Sequence, residues 1–224
     1  MRAHRNAIGL LGFWLPAAVY LLAAARDTTG LERWEVLSSV SAYHHTGAGP
    51  LFAGVLFAIG LFLVTYRGYV EDAADRRVGK VAGVAAFLVA IFPTRAPAPV
   101  LPPTWWRPLT GIIHYSAAVV LFGCFILFSV WLFQRSDQPD RARRPPMKRL
   151  RDRICMACGI SMIGAMVWAG VRARAGQSIF CPEATAIFAF GVSWLVKAEF
   201  FGLLSDRWGD RPNPASALAG DATA

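Results

Sequence analysis

The chain has 224 residues and a formal net charge of +9, and is 55% hydrophobic but only 17% charged; its mean hydropathy is +0.42. A water-soluble domain of this length carries more charge and shorter apolar runs, so composition argues against a soluble enzyme and for an integral membrane protein. Alternation with period two is absent, which argues against a β-barrel; the expected fold is all-α, a bundle of transmembrane helices.

A helix needs about 20 apolar residues to cross a ~30 Å hydrocarbon core. Six stretches approach that length: 8–25, 51–69, 79–94, 109–133, 154–171 and 182–204. Before the first stand Arg2 and Arg5, and Ala23-Ala24-Ala25 ends it, as in a secretory signal peptide. Its apolar run exceeds the usual ~7–15 residues of such a signal, so a retained helix is expected. Leu31, Trp34, Leu37, Val40 and Tyr43 then fall three apart. They predict a short helix on the outer surface, or one dipping into the bundle. Gly47-Ala48-Gly49-Pro50 breaks the chain before the second span.

Gly54 with Ala58 and Gly79 with Gly83 are small residues four apart, suited to close helix contact. The third span is the shortest and ends at Phe92-Pro93-Thr94. Six prolines from Pro93 to Pro108 make a stiff loop, a lid or a connector. Cys155-Met-Ala-Cys158 in the fifth span is a lone CxxC, read as two small packing residues one turn apart. Residues 1–211 form one predicted domain, and 212–224 read as a disordered tail.

Lysine and arginine orient the spans. Seventeen fall on the side of the N-terminus and six on the other, which puts both termini in the cytoplasm. The charge is therefore topological and implies no nucleic-acid partner. The segment 134–153 carries eight basic and three acidic residues. It is expected against anionic headgroups, unless it is simply a basic loop obeying the insertion rule.

Ionisable groups inside spans default to a functional hypothesis, and two levels of the bundle gather them. The outer level holds Ser41, Tyr43, His44, His45, Thr46, Thr94, His114, Tyr115 and Glu183. His45, His114 and Glu183, with His44 as a substitute, make a candidate zinc set with one position open for water; Ser41 and Thr94 are the candidate catalytic hydroxyls. Each also has a plainer explanation: Glu183 complements a helix N-terminus, and the histidines are solvated or hydrogen-bonded. The inner level holds Tyr66, Arg67, Tyr69, Glu71, Lys197 and Glu199, an expected rim of ion pairs in which Lys197 or Glu199 meets Arg67 or Glu71.

Four segments together, the run from Ser41 to Tyr69, AIFPT, the intramembrane His114 and EATAIFAFGVSWLVKAE, resemble a group of uncharacterised bacterial multipass membrane proteins. The resemblance implies a six-helix protein of the bacterial inner membrane and no stated activity. Ser41-x-x-x-His45 is also similar, faintly, to the serine–histidine motif of the alkaline ceramidase and progestin-receptor superfamily of zinc-dependent membrane hydrolases. The later HxxxH of that superfamily is missing, since His114 is the sole histidine beyond His45.

These features predict a six-span protein with a polar, metal-capable site at its outer face that binds or acts on a small ligand or lipid headgroup. The alternatives are a proton-linked transporter or sensor using both polar levels, and a non-catalytic subunit of a membrane assembly or homo-oligomer. Haem held by histidines from different spans is a further option.

Overall fold

Prolines and glycines set the ends of the helices. Three helices open on proline within their first turn, where its missing N–H leaves no bond unmade. A computed structural model describes residues 2–26, 34–68, 73–135 and 144–200. Among these, the helices are α1 (Arg2–Ala25), α2 (Gly49–Val64), α3 (Ala73–Ile91), α4 (Pro108–Val130), α5 (Pro146–Arg174) and α6 (Phe180–Lys197), and no strand occurs. Short 3-10 helices cover Ser41–His45 and Leu132–Gln134. Arg33, Tyr69, Glu71 and the tail from residue 212 lie outside the described residues.

Each helix packs on its neighbours in sequence and α6 returns to α1, so the six close into a ring. The centre is aromatic. Trp194 of α6 is fully buried and meets Tyr66, Phe128, Phe133 and Phe190 edge-on, while Phe125 and Phe190 stack at 3.6 Å. Ala3–Ala25, Pro108–Gln134 and Pro146–Arg174 are long and apolar enough to cross a membrane. These apolar helices mark a membrane protein.

Six helices stand where six spans are predicted, with shifted ends. The shortest is α2, at 16 residues, and not α3, at 19. α5 starts eight residues early because Pro146 nucleates a first turn that absorbs the basic segment Lys148–Arg153. Among the described residues, no surface α-helix precedes Tyr43. Leu37, Val40 and Tyr43 are buried, and their spacing of three is the period of the 3-10 turn that follows.

Glycines mark the tight crossings. Gly83 lies against the carbonyl of Gly60, and Gly79 against that of Leu63, so α2 and α3 touch backbone to backbone. The partner on α2 is Gly60 and not Gly54, around which there is open space. A Cβ on Gly191 of α6 would sit 2.6 Å from the backbone nitrogen of Phe13 on α1. Cys155 and Cys158 are buried and free, and the Cys155 thiol donates to the Ser193 carbonyl, as packing residues do.

Gly191→Ala should therefore destabilise the protein by about 1–3 kcal/mol through overpacking. Gly54→Ala should be neutral or stabilising by ~0.5–1 kcal/mol, since a helical glycine is simply replaced. Paired thermal melts in detergent read the difference; equal midpoints would contradict the α1–α6 crossing.

Candidate functional site

α3 ends at Ile91 because Pro93 follows two residues later. Proline carries no N–H, so it offers no donor to the last carbonyls of the helix. Three histidines and a tryptophan supply donors instead. His44 Nε2 lies 3.2 Å from the Ala90 carbonyl oxygen, and His45 Nε2 lies 2.9 Å from that of Thr94. His114 Nδ1 of α4 lies 2.6 Å from the Phe92 carbonyl oxygen. The Trp106 indole donates to the Pro93 carbonyl at 3.2 Å. A carbonyl only accepts, so each of these ring nitrogens carries the proton.

That assignment fixes the chemistry of His114. With the proton on Nδ1, Nε2 of the neutral ring is an acceptor, and the Ser41 hydroxyl lies 3.0 Å from it. Ser41, His114 and the Phe92 carbonyl thus form a chain of donor to acceptor. It is the arrangement of a hydroxyl, a base and the group that orients the base.

The 3-10 turn carrying Ser41 is pinned from the other side as well. The Glu183 carboxylate accepts from the Val40 N–H at 2.7 Å, and from that of Ser41. Ile179 N–H donates to the Ser38 carbonyl at 2.7 Å, where the Ser178 hydroxyl also donates. Tyr43 turns its hydroxyl back to accept from Leu37 N–H. Five chain segments therefore meet at one end of the ring. Below them is a cavity of about 50 Å³ whose polar lining comes from Ser41 and Glu183. Its apolar walls include Leu15, Phe52, Val89, Leu121 and Ile187, one from each helix except α5.

Of the predicted outer residues, Ser41, His44, His45, Thr94, His114 and Glu183 all come to this end. Among the described residues, no three His, Cys, Asp or Glu side chains gather as a metal-holding group. Thr94 is buried, and its hydroxyl finds no hydrogen-bond partner among the described residues. Tyr115 faces outward. Burial and the neighbouring His45 hold His44 below the usual imidazole range, and burial does the same for His45.

At the opposite end, Arg67 is exposed. Lys197 donates to the Phe133 carbonyl at 3.0 Å and lies over the Phe133 ring. Glu199 pairs with Arg151 of α5 at 3.3 Å. The sequence offers Arg67 or Glu71 as partners, of which Glu71 lies outside the described residues; Arg151 is a further partner, hidden when the basic segment is taken for a loop. Sequence reasoning also misses the backbone carbonyls of Ala90, Phe92 and Thr94. Pro93 is the visible signal for those.

The family described as "Protein of unknown function (DUF998)" matches residues 41–198. No curated protein and no solved structure matches the chain. The match opens on Ser41 itself and leaves α1 outside. None of these comparisons carries the likeness to the ceramidase and progestin-receptor superfamily.

Two outcomes follow. His44 and His45 bind protons less readily folded than unfolded, so the unfolded chain takes up more protons below about 6.5. Stability is complete above that value and falls with acidification; His44→Gln/His45→Gln, which keeps donors that do not titrate, should flatten this dependence in thermal melts. His114→Ala strands the Phe92 carbonyl and should lose about 1–3 kcal/mol, read by the same melts.

Proposed function

The chain belongs to the DUF998 family, and on that footing we propose that it is a six-span protein of the bacterial inner membrane with both termini cytoplasmic, binding a small ligand at its histidine end. The excess of lysine and arginine at the opposite end supports this orientation. Trp34, Trp105, Trp131 and Trp168, all exposed, suit the aromatic belts at the two interfaces of a spanning bundle.

One observation carries the ligand site: Ser41 and Glu183 form the polar head of a cavity that five helices wall with apolar side chains. The cavity admits only a few heavy atoms at about 50 Å³. Its lining has a carboxylate and a hydroxyl but no lysine or arginine. Such a pocket favours a small neutral or cationic species that donates hydrogen bonds, and rejects anions. The buried Thr94 hydroxyl, without a hydrogen-bond partner among the described residues, is a further polar group at the same end.

A second reading rests on the Ser41–His114–Phe92 chain. His114 Nε2 is placed to take the Ser41 proton, as in acyl transfer through a serine nucleophile. Zinc on His45, His114 and Glu183 has no such support, because these side chains do not gather as a metal-holding group.

Thermal-shift titration of detergent-purified protein separates these readings. Methylammonium should raise the melting temperature, by ~2–4 °C for each kcal/mol of linkage. Acetate should not, and Glu183→Gln should abolish the response; equal shifts by both ions would sink the binding site. A fluorophosphonate probe that labels wild type but neither Ser41→Ala nor His114→Gln would establish the nucleophile. Stoichiometric zinc lost in His114→Ala would establish the metal.

A further inference from the structure

At the other end of the ring, the first four turns of α5, Arg144 just before them and Gln134 of the 3-10 helix after α4 enclose a cleft of about 400 Å³. Its rim carries three guanidinium groups, Arg144, Arg149 and Arg153. Its floor is Met156, Ala157 and Ile160. The Asp152 carboxylate is shared by Arg144, at 2.9 Å, and Lys148. Arg144 and Lys148 thus already engage the one carboxylate of the cleft, and Arg149 and Arg153 line it as well.

Arg144 is held in place, donating to both Asp152 and the Gln134 carbonyl. Gln134 in turn donates to the carbonyls of Ser129 and Asp152. Arg149 and Arg153 are one turn apart on α5, both exposed, with no ion pair among the described residues. The rim is therefore a partly prearranged fork of guanidinium donors with charge to spare, the geometry that holds a phosphate bidentately.

The floor does not stop at the cleft. Ile160, Ile163, Val167 and Val171 continue it along α5 at helical spacing, all exposed. Of the three helices that qualify as spans, α5 is the least covered by the rest of the protein, at 28% against 39% and 50%. A basic head above an exposed apolar stripe has the shape of a lipid. A free phosphate would use the rim and leave the floor in water.

We infer that this cleft is a specific site for an anionic phospholipid, with the phosphate on Arg144, Arg149 and Arg153 and an acyl chain along Met156, Ala157 and Ile160 of α5. The site needs α5 to cross the membrane, but it is independent of the cavity at the histidine end. It differs from a generally basic surface in being concave and in having an apolar floor.

Native mass spectrometry of the full chain in detergent tests this with phosphatidylglycerol and phosphatidylcholine of matched acyl chains. Phosphatidylglycerol should be retained in preference. Arg149→Ala/Arg153→Ala, which changes only exposed side chains, should weaken it by roughly tenfold or more, as two cations near a surface lose their attraction. Ala157→Phe keeps every charge but fills the floor, and it should weaken retention too. Arg76→Ala/Arg77→Ala removes an exposed basic pair from α3 and should change little. Equal losses in the two arginine pairs would reduce the cleft to bulk charge, and undiminished retention in Ala157→Phe would remove the acyl chain from it. Displacement of the lipid by inorganic phosphate as readily as by phosphatidylglycerol would make the site one for free anions. The methylammonium response should be unaltered in all three variants, so failure here is distinct from failure at Glu183.

Discussion

The carbonyl end of α3 is the point on which the histidine end depends. A helix that stops just short of a proline inside an apolar bundle leaves carbonyl groups that water does not reach. Each orphaned acceptor carries a penalty of about 1–3 kcal/mol, well above the net gain of an ordinary hydrogen bond. Rings from three other segments answer that need: His44 and His45 before α2, Trp106 in the proline loop, and His114 in α4. Once they are committed, much else is set. The proline loop is tied back to the end of α3, the 3-10 turn is drawn inward over the ring, and the His114 proton is fixed on one nitrogen. Ser41 faces the other.

This gives His44 and His45 a role that their chemistry alone does not suggest. Imidazole invites thoughts of metals and proton transfer, yet here two of the four histidines in the chain act first as donors to backbone. His114 does the same and keeps a second nitrogen for Ser41. The candidate site is thus a by-product of a structural repair, with Ser41 and Glu183 left at the edge of a space that the apolar side chains do not fill.

Much of the fold is legible in the sequence, because hydrophobic stretches, prolines and glycines act locally. Pro50 and Pro108 mark helix starts, and Phe92-Pro93 marks an end. The convergence of Ser41, His114 and Glu183 at one level follows from counting residues into each span. What the sequence hides is pairing between segments. Gly54 and Gly60 look alike as small residues, and only the rotation of α2 decides which one meets Gly83. Arg151 looks like one of eight loop charges until Pro146 starts a helix that turns it toward Glu199. The run Leu37, Val40, Tyr43 has a period of three, which suits a 3-10 turn better than a surface α-helix. The distinction rests on 0.6 of a residue per turn, too little to read from three positions.

The seam between α1 and α6 is built of side chains seated in glycine notches. Leu195 fills the space at Gly9, Phe190 that at Gly12, and the backbone of Phe13 lies against Gly191. Notches facing in both directions resist sliding along the helix axes, since a shift of one turn would drive a phenyl ring into a neighbour's side chain. The two helices can part, but they cannot slip. The seam therefore works as a ruler: it fixes the height of α6 in the ring, and with it the level at which Glu183 greets the turn that bears Ser41.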